Sequence, residues 1–355
     1  MHALLVSVDL LTSMATMTAE PAHESLAPLA WLGGVDDARL IVTDRRALPK
    51  RMVRRTLHDL EEVCRAIEVG TVAGVGAIGL LVAYAVPLHA FRSAEKPPQG
   101  RASSELEPAI VHALERLREL AGGNLPALRA LTRLRDCFDR HVGALTAIEV
   151  SARLLMEAKR IQRELAELTD RIAKLGAAEL PDQGTIATIG SIGPLAKGGN
   201  GTALAAIIRA CTDGKKLEVL SLAESDGGTT ARECLAHAVP VREINFAEFA
   251  QQLRQGKIAV AMAGADRITA RGDIIGEPGT YAFASLARAH GVPVLVAAPY
   301  TIFDFSVERG DQLDADDVTP AELVDAVITG RGVIRRPTQP AVESLMRDPP
   351  DPGVA

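Results

Sequence analysis

From Pro181 onward the sequence alternates strand-type apolar runs with helix-type periodicity, and no other feature constrains the fold as tightly. Thr185–Ile189, Leu217–Leu222, Val241–Ile244, Ile258–Ala263 and Val292–Ala298 are short runs of aliphatic residues, as buried strands require. Between them, Thr202–Ala210, Thr229–His237, Ala247–Gln255 and Thr280–His290 carry helical spacing. Parallel strands need a crossover connection, and a helix in each crossover covers both faces of the sheet. The expected fold class is α/β, with a Rossmann-like parallel-sheet domain over residues 181–335.

The first half reads differently. Apolar β-formers at Arg39–Thr43 open it, and Leu57, Leu60, Val63 and Ile67 then fall at helical spacing. The uncharged run from Val69 to His89 is just long enough to cross a membrane. It is, however, rich in glycine, holds Pro87 and follows a charged helical stretch. A glycine-rich loop entering a buried helix fits it better, so a soluble protein with no membrane partner is expected. After the polar stretch Arg92–Ser104, helical patterns cover 105–121, 126–142 and 144–175, the last ending at Gly176 in the manner of a C-cap. The expected organisation is a mainly helical N-terminal domain over 20–150, a connecting helix over 151–180 and the Rossmann-like domain. A disordered leader over 1–19 and a disordered, proline-rich tail over 336–355 flank them. The leader lacks the basic residues of a secretory signal and carries Asp9 in its apolar run.

Composition narrows the function. At 355 residues the chain is long enough for about two domains. It carries 39 Lys and Arg against 45 Asp and Glu, a net charge of −6, so no basic excess exists to neutralise a phosphate backbone, and no nucleic-acid partner is expected. Aromatic residues are only 3%, so the core is aliphatic and stacking platforms are scarce. Cys64, Cys137, Cys211 and Cys234 lie far apart with no CxxC pair, which fits buried free thiols in a reducing cytoplasm. The histidines form no HExxH or HxH cluster, and no metal is expected.

In a doubly wound sheet ligands gather beyond the carboxyl ends of the strands. Three loops qualify there. Gly190-Ser191-Ile192-Gly193 leads into Gly198-Gly199-Asn200-Gly201-Thr202, where glycines allow close backbone approach to a ligand and Thr202 opens a helix whose N–H groups would attract an anion. The alternative is a tight turn with no ligand. Asp266, directly after Ile258–Ala263, is placed for general acid or base work, or else caps a turn. Gly276-Glu277-Pro278-Gly279 opens the next helix, with simple turn chemistry as its alternative.

GGNGTAL (198–204), GADRI with RGD (264–273), GTYAFASLARAHGVPVLVAAP (279–299) and Phe303-Asp304 closely resemble the methylthioribose-1-phosphate isomerases. That superfamily also holds ribose-1,5-bisphosphate isomerase and the regulatory subunits of eukaryotic translation initiation factor 2B. The match is strongest over 185–335, while GxxAIGxxxAYA (74–85) resembles the family's N-terminal glycine loop and helix. The resemblance implies a helical domain joined to a Rossmann-like one, a homodimer, and conversion of an aldose 1-phosphate to the ketose by a cysteine and an aspartate without a cofactor. The aspartate falls on Asp266. The cysteine position falls on Gly190, the N-terminal loop arginine on Ala73, and the Asn-Lys pair that helps hold phosphate on Gly276-Glu277. The Arg-Pro-Thr turn is replaced around Asn124-Leu125-Pro126, and the loop after Glu224 is shorter than the family's.

Exchanging arginine for alanine and lysine for glutamate while Asp266 stays is expected to make the pocket more negative and to disfavour a phosphate. The resulting expectation is a diverged isomerase-type protein acting on a sugar-derived, non-phosphorylated small molecule. Asp266 would be the acid–base residue, with Glu277 and Ser191 as partners and Gly190, Gly198, Gly199, Asn200, Gly201, Thr202 and Gly276 around the ligand. The alternatives are a non-catalytic binding or regulatory protein of the initiation-factor type, and a conventional isomerase in which Cys211 or Cys234 returns a thiol near Gly190.

Overall fold

The computed structural model describes residues 27–34, 36–94, 102–222 and 228–347. The expected leader over 1–19 and the last residues of the expected tail lie outside these.

The N-terminal half begins with a three-stranded antiparallel sheet, β1 (Leu29–Leu32), β2 (Arg39–Thr43) and β3 (Arg54–Leu57). Five helices follow: α1 (Leu60–Glu68), α2 (Val75–Ala94), α3 (Glu107–Ala121), α4 (Leu125–His141) and α5 (Ala147–Glu179). Helix α2 is long and apolar enough to cross a membrane, but 78% of its apolar window is buried within the fold. A helix that is apolar all round belongs inside a core, and α1, α3, α4 and α5 surround it.

Helix α5 starts from a capping box, in which Thr146 Oγ1 accepts from the Glu149 N–H and Glu149 accepts in turn from the Thr146 N–H. Its first half buries Val150, Leu154 and Leu155 in the N-terminal core. Its second half buries Leu168, Ile172 and Ala177 in the core of the following sheet. The sequence placed the end of this helix at Gly176, but the helix runs on to Glu179. Gly176 is instead a crossing point: a Cβ there would meet the Ala206 Cβ at 2.5 Å.

The C-terminal half is a seven-stranded sheet of β4 (Gln183–Ile189), β5 (Lys216–Leu222), β6 (Val241–Ile244), β7 (Ile258–Ala263), β10 (Val294–Ala297), β13 (Ala326–Thr329) and β14 (Gly332–Arg335). Six strands run parallel in the order β6-β5-β4-β7-β10-β13, and β14 joins the far edge antiparallel to β13. Helices α6 (Ala203–Thr212), α7 (Thr229–Ala236), α8 (Phe246–Arg254) and α9 (Thr280–Ala289) fall where the alternation put them. A small second sheet was not anticipated: β8 (Arg267–Thr269), β9 (Ile274–Ile275), β11 (Phe303–Asp304) and β12 (Val318–Thr319) are too short to show a period.

The tail expected to be disordered over 336–355 is ordered through Arg347. Gln339–Arg347 forms α10, with Pro340 in its first turn, where a missing N–H costs nothing. Val342 is fully buried beside Ile334, with Ala341 and Leu345 packed alongside.

Candidate functional site

The strand order reverses between β4 and β7, so the loops leaving their carboxyl ends part and open a crevice, the place where open α/β sheets bind ligands. After β4, Gly190 adopts φ +75°, and a Cβ on it would lie 3.2 Å from the Glu277 carboxyl carbon. Glycine therefore lets Glu277 lie against the chain. The Ser191 N–H donates to Glu277 Oε1 at 2.9 Å and the Ser191 hydroxyl to Oε2 at 3.5 Å. Arg45 Nη2, from the turn after β2, donates to Ser191 Oγ at 2.8 Å.

The chain then makes one helical turn, Pro194–Lys197, which carries Lys197 under α2. Lys197 is 5% exposed, and its Nζ lies 2.7 Å from Asp266 Oδ1 and 3.5 Å from the Ala265 carbonyl. Asp266 is 34% exposed on its side chain and faces a cleft of about 480 Å³. Gly74, Val75 and Asn124 of the N-terminal half and Asp266, Gly276 and Glu277 of the sheet half line that cleft. Asn124 is fixed there because it caps α4 through the Ala127 N–H while its Nδ2 donates to the Val75 carbonyl.

The structure thus brings Gly190, Ser191, Asp266, Gly276 and Glu277 together, and it does not bring Gly198, Gly199, Asn200, Gly201 or Thr202 to them. Where α6 begins, the N–H groups of Thr202 and Leu204 point to the Ile192 carbonyl, and no residue of this turn lines the Asp266 cleft. The glycines here serve close packing, since a Cβ on Gly201 would lie 2.9 Å from the Gly193 Cα, and one on Gly198 2.9 Å from Leu165. Gly199 and Asn200 open instead onto a separate pocket of about 410 Å³ shared with Asp170 and His237. The N-terminus of α9 is closed as well, because the Asp317 carboxylate accepts from the N–H groups of Gly279 and Tyr281.

Three participants escaped the sequence reading. Lys197 stood in the glycine loop without a role, Arg45 reaches Ser191 across 146 positions, and Arg267 pairs with Asp304 at 3.3 Å while donating to the Gly123 carbonyl. The expected imbalance of charge is therefore smaller at the inner end, where Lys197 balances Asp266. Apart from that pair, the cleft lining carries Glu277, Asp314 and Asp316 against Arg267, which Asp304 already holds. Among the described residues no cysteine lines the cleft or the small pocket at Gly190. Cys234 is buried in the apolar cluster around Ile186 and Ile207, and Cys211, packed against the same cluster, has its thiol pushed up by burial. A larger cavity, about 970 Å³, lies elsewhere in the sheet half, and two of its arginines are in ion pairs, Arg271 with Glu308 at 2.5 Å and Arg288 with Asp325 at 2.6 Å.

Residues 83–315, which include Ser191, Asp266 and Glu277, match the initiation factor 2 subunit family. The chain belongs to that family. It is 34% identical to the methylthioribose-1-phosphate isomerase of Anaeromyxobacter, over 91% of this chain and 98% of that protein. The isomerase of the same name from Thioalkalivibrio sulfidiphilus is 30% identical over 92% of this chain and 98% of its own length. Among solved structures, 5-methylthioribose 1-phosphate isomerase from Pyrococcus horikoshii superposes with a TM-score of 0.80 at 25% identity, covering 93% of this chain and 99% of that one. The delta subunit of translation initiation factor eIF-2B from A. fulgidus shares the fold, with a TM-score of 0.78 at 24% identity over 91% of this chain and 100% of that one. These relatives support an isomerase-type or initiation-factor-2B-like function for this member of the family.

Proposed function

We propose that this family member is a diverged aldose–ketose isomerase-type enzyme whose cleft takes a sugar-derived, non-phosphorylated small molecule. The observation that carries the reading is the closure of the α9 N-terminus beside the crevice, where the Asp317 carboxylate accepts from the N–H groups of Gly279 and Tyr281. A phosphate dianion is held by free N–H groups and unpaired guanidinium or ammonium groups. Here the Gly279 and Tyr281 N–H groups are held by Asp317, Arg45 is engaged by the Ser191 hydroxyl, and the cations Lys197 and Arg267 are paired with Asp266 and Asp304.

In aldose–ketose chemistry a proton leaves the carbon beside the carbonyl and returns to the former carbonyl carbon, while the two oxygens exchange a proton. Asp266, oriented by Lys197 and open to the cleft, moves the carbon-bound proton. Glu277, held by Ser191, serves the oxygens. Ser191 is buried and acts as a positioning residue for Glu277, with Arg45 fixing its hydroxyl. No step calls for a cofactor.

The test is a thermal-shift and turnover panel with methylthioribose 1-phosphate, ribose 1,5-bisphosphate, their unphosphorylated sugars, nucleosides and amino sugars. A ligand at a hundred times its dissociation constant adds about 2.7 kcal/mol, an easily visible shift. Stabilisation by neutral or cationic sugars supports the reading, and turnover of a sugar 1-phosphate overturns it. One observation favours a non-catalytic, initiation-factor-like role instead: among the described residues no cysteine lines the cleft. Saturable binding without turnover of any sugar would select that role.

A further inference from the structure

We infer that the half-open cavity between α2, α4, α5 and the turn at Tyr300 binds a small carboxylic acid with a single-ring aromatic or branched aliphatic body. The cavity measures about 250 Å³ and shares no lining residue with the Asp266 cleft. A dry apolar cavity of about 150 Å³ already holds a benzene ring, so this one has room for a ring and a short acid arm. Leu80, Pro126, Ala130, Ile161, Leu165 and Leu168 give it aliphatic walls.

Its charged lining residues are not equivalent. Arg133 is held by Glu157 at 2.6 Å and Glu164 at 2.5 Å, and Arg160 adds a second contact to Glu164 at 2.9 Å. That cluster is satisfied within itself. Arg129 is not: among the described residues its one hydrogen bond is a long one, 3.3 Å to the Phe303 carbonyl. Partial burial pushes its pKa down against the opposing pull of Tyr300 and Asp304, and Asp304 is in contact with Arg267 instead, so among the described residues Arg129 has no counter-charge in contact. A carboxylate on Arg129 supplies that charge through paired N–H donors, while the hydrocarbon part fills the aliphatic walls.

The cavity also borders the machinery of the cleft. Gly76 lines it, and a Cβ on Gly76 would fall 1.8 Å from the Lys197 carbonyl oxygen. Gly74 and Val75, one and two residues before it, line the cleft on the other side. An occupant therefore rests on the same first turn of α2 that covers the partner of Asp266.

Isothermal titration of the purified full chain with benzoate and 3-phenylpropionate, with benzamide as the neutral counterpart, tests the site. The expected result is saturable binding of a carboxylate, weakened about tenfold by Arg129→Gln through loss of a charged hydrogen bond. Ala130→Phe fills the cavity and abolishes binding, with an unliganded melting temperature equal to or above that of the parent. Asp266→Asn leaves binding unchanged, which separates this site from the cleft. Leu165→Phe, from the α5 wall, reads the same loss should Ala130→Phe not fold. The inference is overturned if neither carboxylate binds saturably, if benzamide binds as well as benzoate, or if binding survives the filled cavity.

Discussion

Lys197 Nζ and Asp266 Oδ1 stand 2.7 Å apart across the switch point of the sheet, and the two members of the pair are buried very unequally. The ammonium is almost wholly enclosed, whereas a third of the carboxylate side chain reaches the cleft. Removing either partner strands the other, and the cost depends on how well water can replace what was lost. Asp266→Asn leaves an enclosed ammonium without its counter-charge and should cost about 2–3 kcal/mol. Lys197→Met leaves a carboxylate that the cleft can hydrate, so it should cost less, about 1 kcal/mol. Urea unfolding of both variants measures this, and an equal or reversed order would contradict the assigned burial.

Gly190 and Glu277 give a second prediction, of coupling. Gly190→Ala places a side chain at φ +75°, a left-handed conformation costing an L-residue about 1–2 kcal/mol. It also presses the Glu277 carboxylate, which would lie 3.2 Å from the new Cβ. The double variant Gly190→Ala/Glu277→Ala relieves the second effect and keeps the first. Its destabilisation should therefore fall short of the sum of the two single changes by about 0.5–1 kcal/mol. Strict additivity in denaturant unfolding would show that Glu277 does not rest on this loop.

The parallel sheet was legible in the sequence because each strand is an unbroken aliphatic run and each crossover carries helical spacing. Asp266 was legible for the same reason: it directly follows a strand's carboxyl end in an alternating fold, and position alone marks it. Lys197 was not, because a lysine in a glycine loop gives no linear sign that α2 will cover it. Arg45 reaches Ser191 through a contact between two halves of the chain, and no local pattern records such a contact. Gly176 was misread for a related reason. Glycine after a helical period is the usual sign of a helix end, and only the neighbouring Ala206 shows that it marks a close crossing.

The ordered tail can be tested directly. Val342 is fully buried against the cluster containing Ile334, although proline-rich sequence surrounds it. Val342→Asp removes an apolar contact and forces a carboxylate against aliphatic neighbours, so it should destabilise the chain by about 2–4 kcal/mol. Val342→Ala removes less volume and should cost about 1–2 kcal/mol. Thermal unfolding reads both. If neither changes the melting temperature, α10 contributes nothing to the fold.

Asp44 links the acid stability of the chain to its crevice. Its buried carboxylate accepts from Arg46 at 2.9 Å and Arg55 at 2.5 Å, and also from the Arg46 N–H, which fixes the turn carrying Arg45 towards Ser191. The Arg46 hydrogen bond, helped by Arg55, holds the carboxyl far below its ordinary value of 3.8. A carboxylate whose folded pKa is depressed binds fewer protons in the native than in the unfolded chain. Its stabilisation is then complete above the unfolded pKa and is lost as pH falls from about 4 towards the folded value. Asp44→Asn should lower stability at pH 7 by about 1–2 kcal/mol, the worth of a charge-assisted hydrogen bond. It should also flatten the loss of stability below pH 4, because the titrating group is gone. Melting curves of both proteins from pH 7 to pH 2 test the sign: parent and variant must converge as the pH falls, and a gap that stays constant or widens would rule out Asp44 as the source.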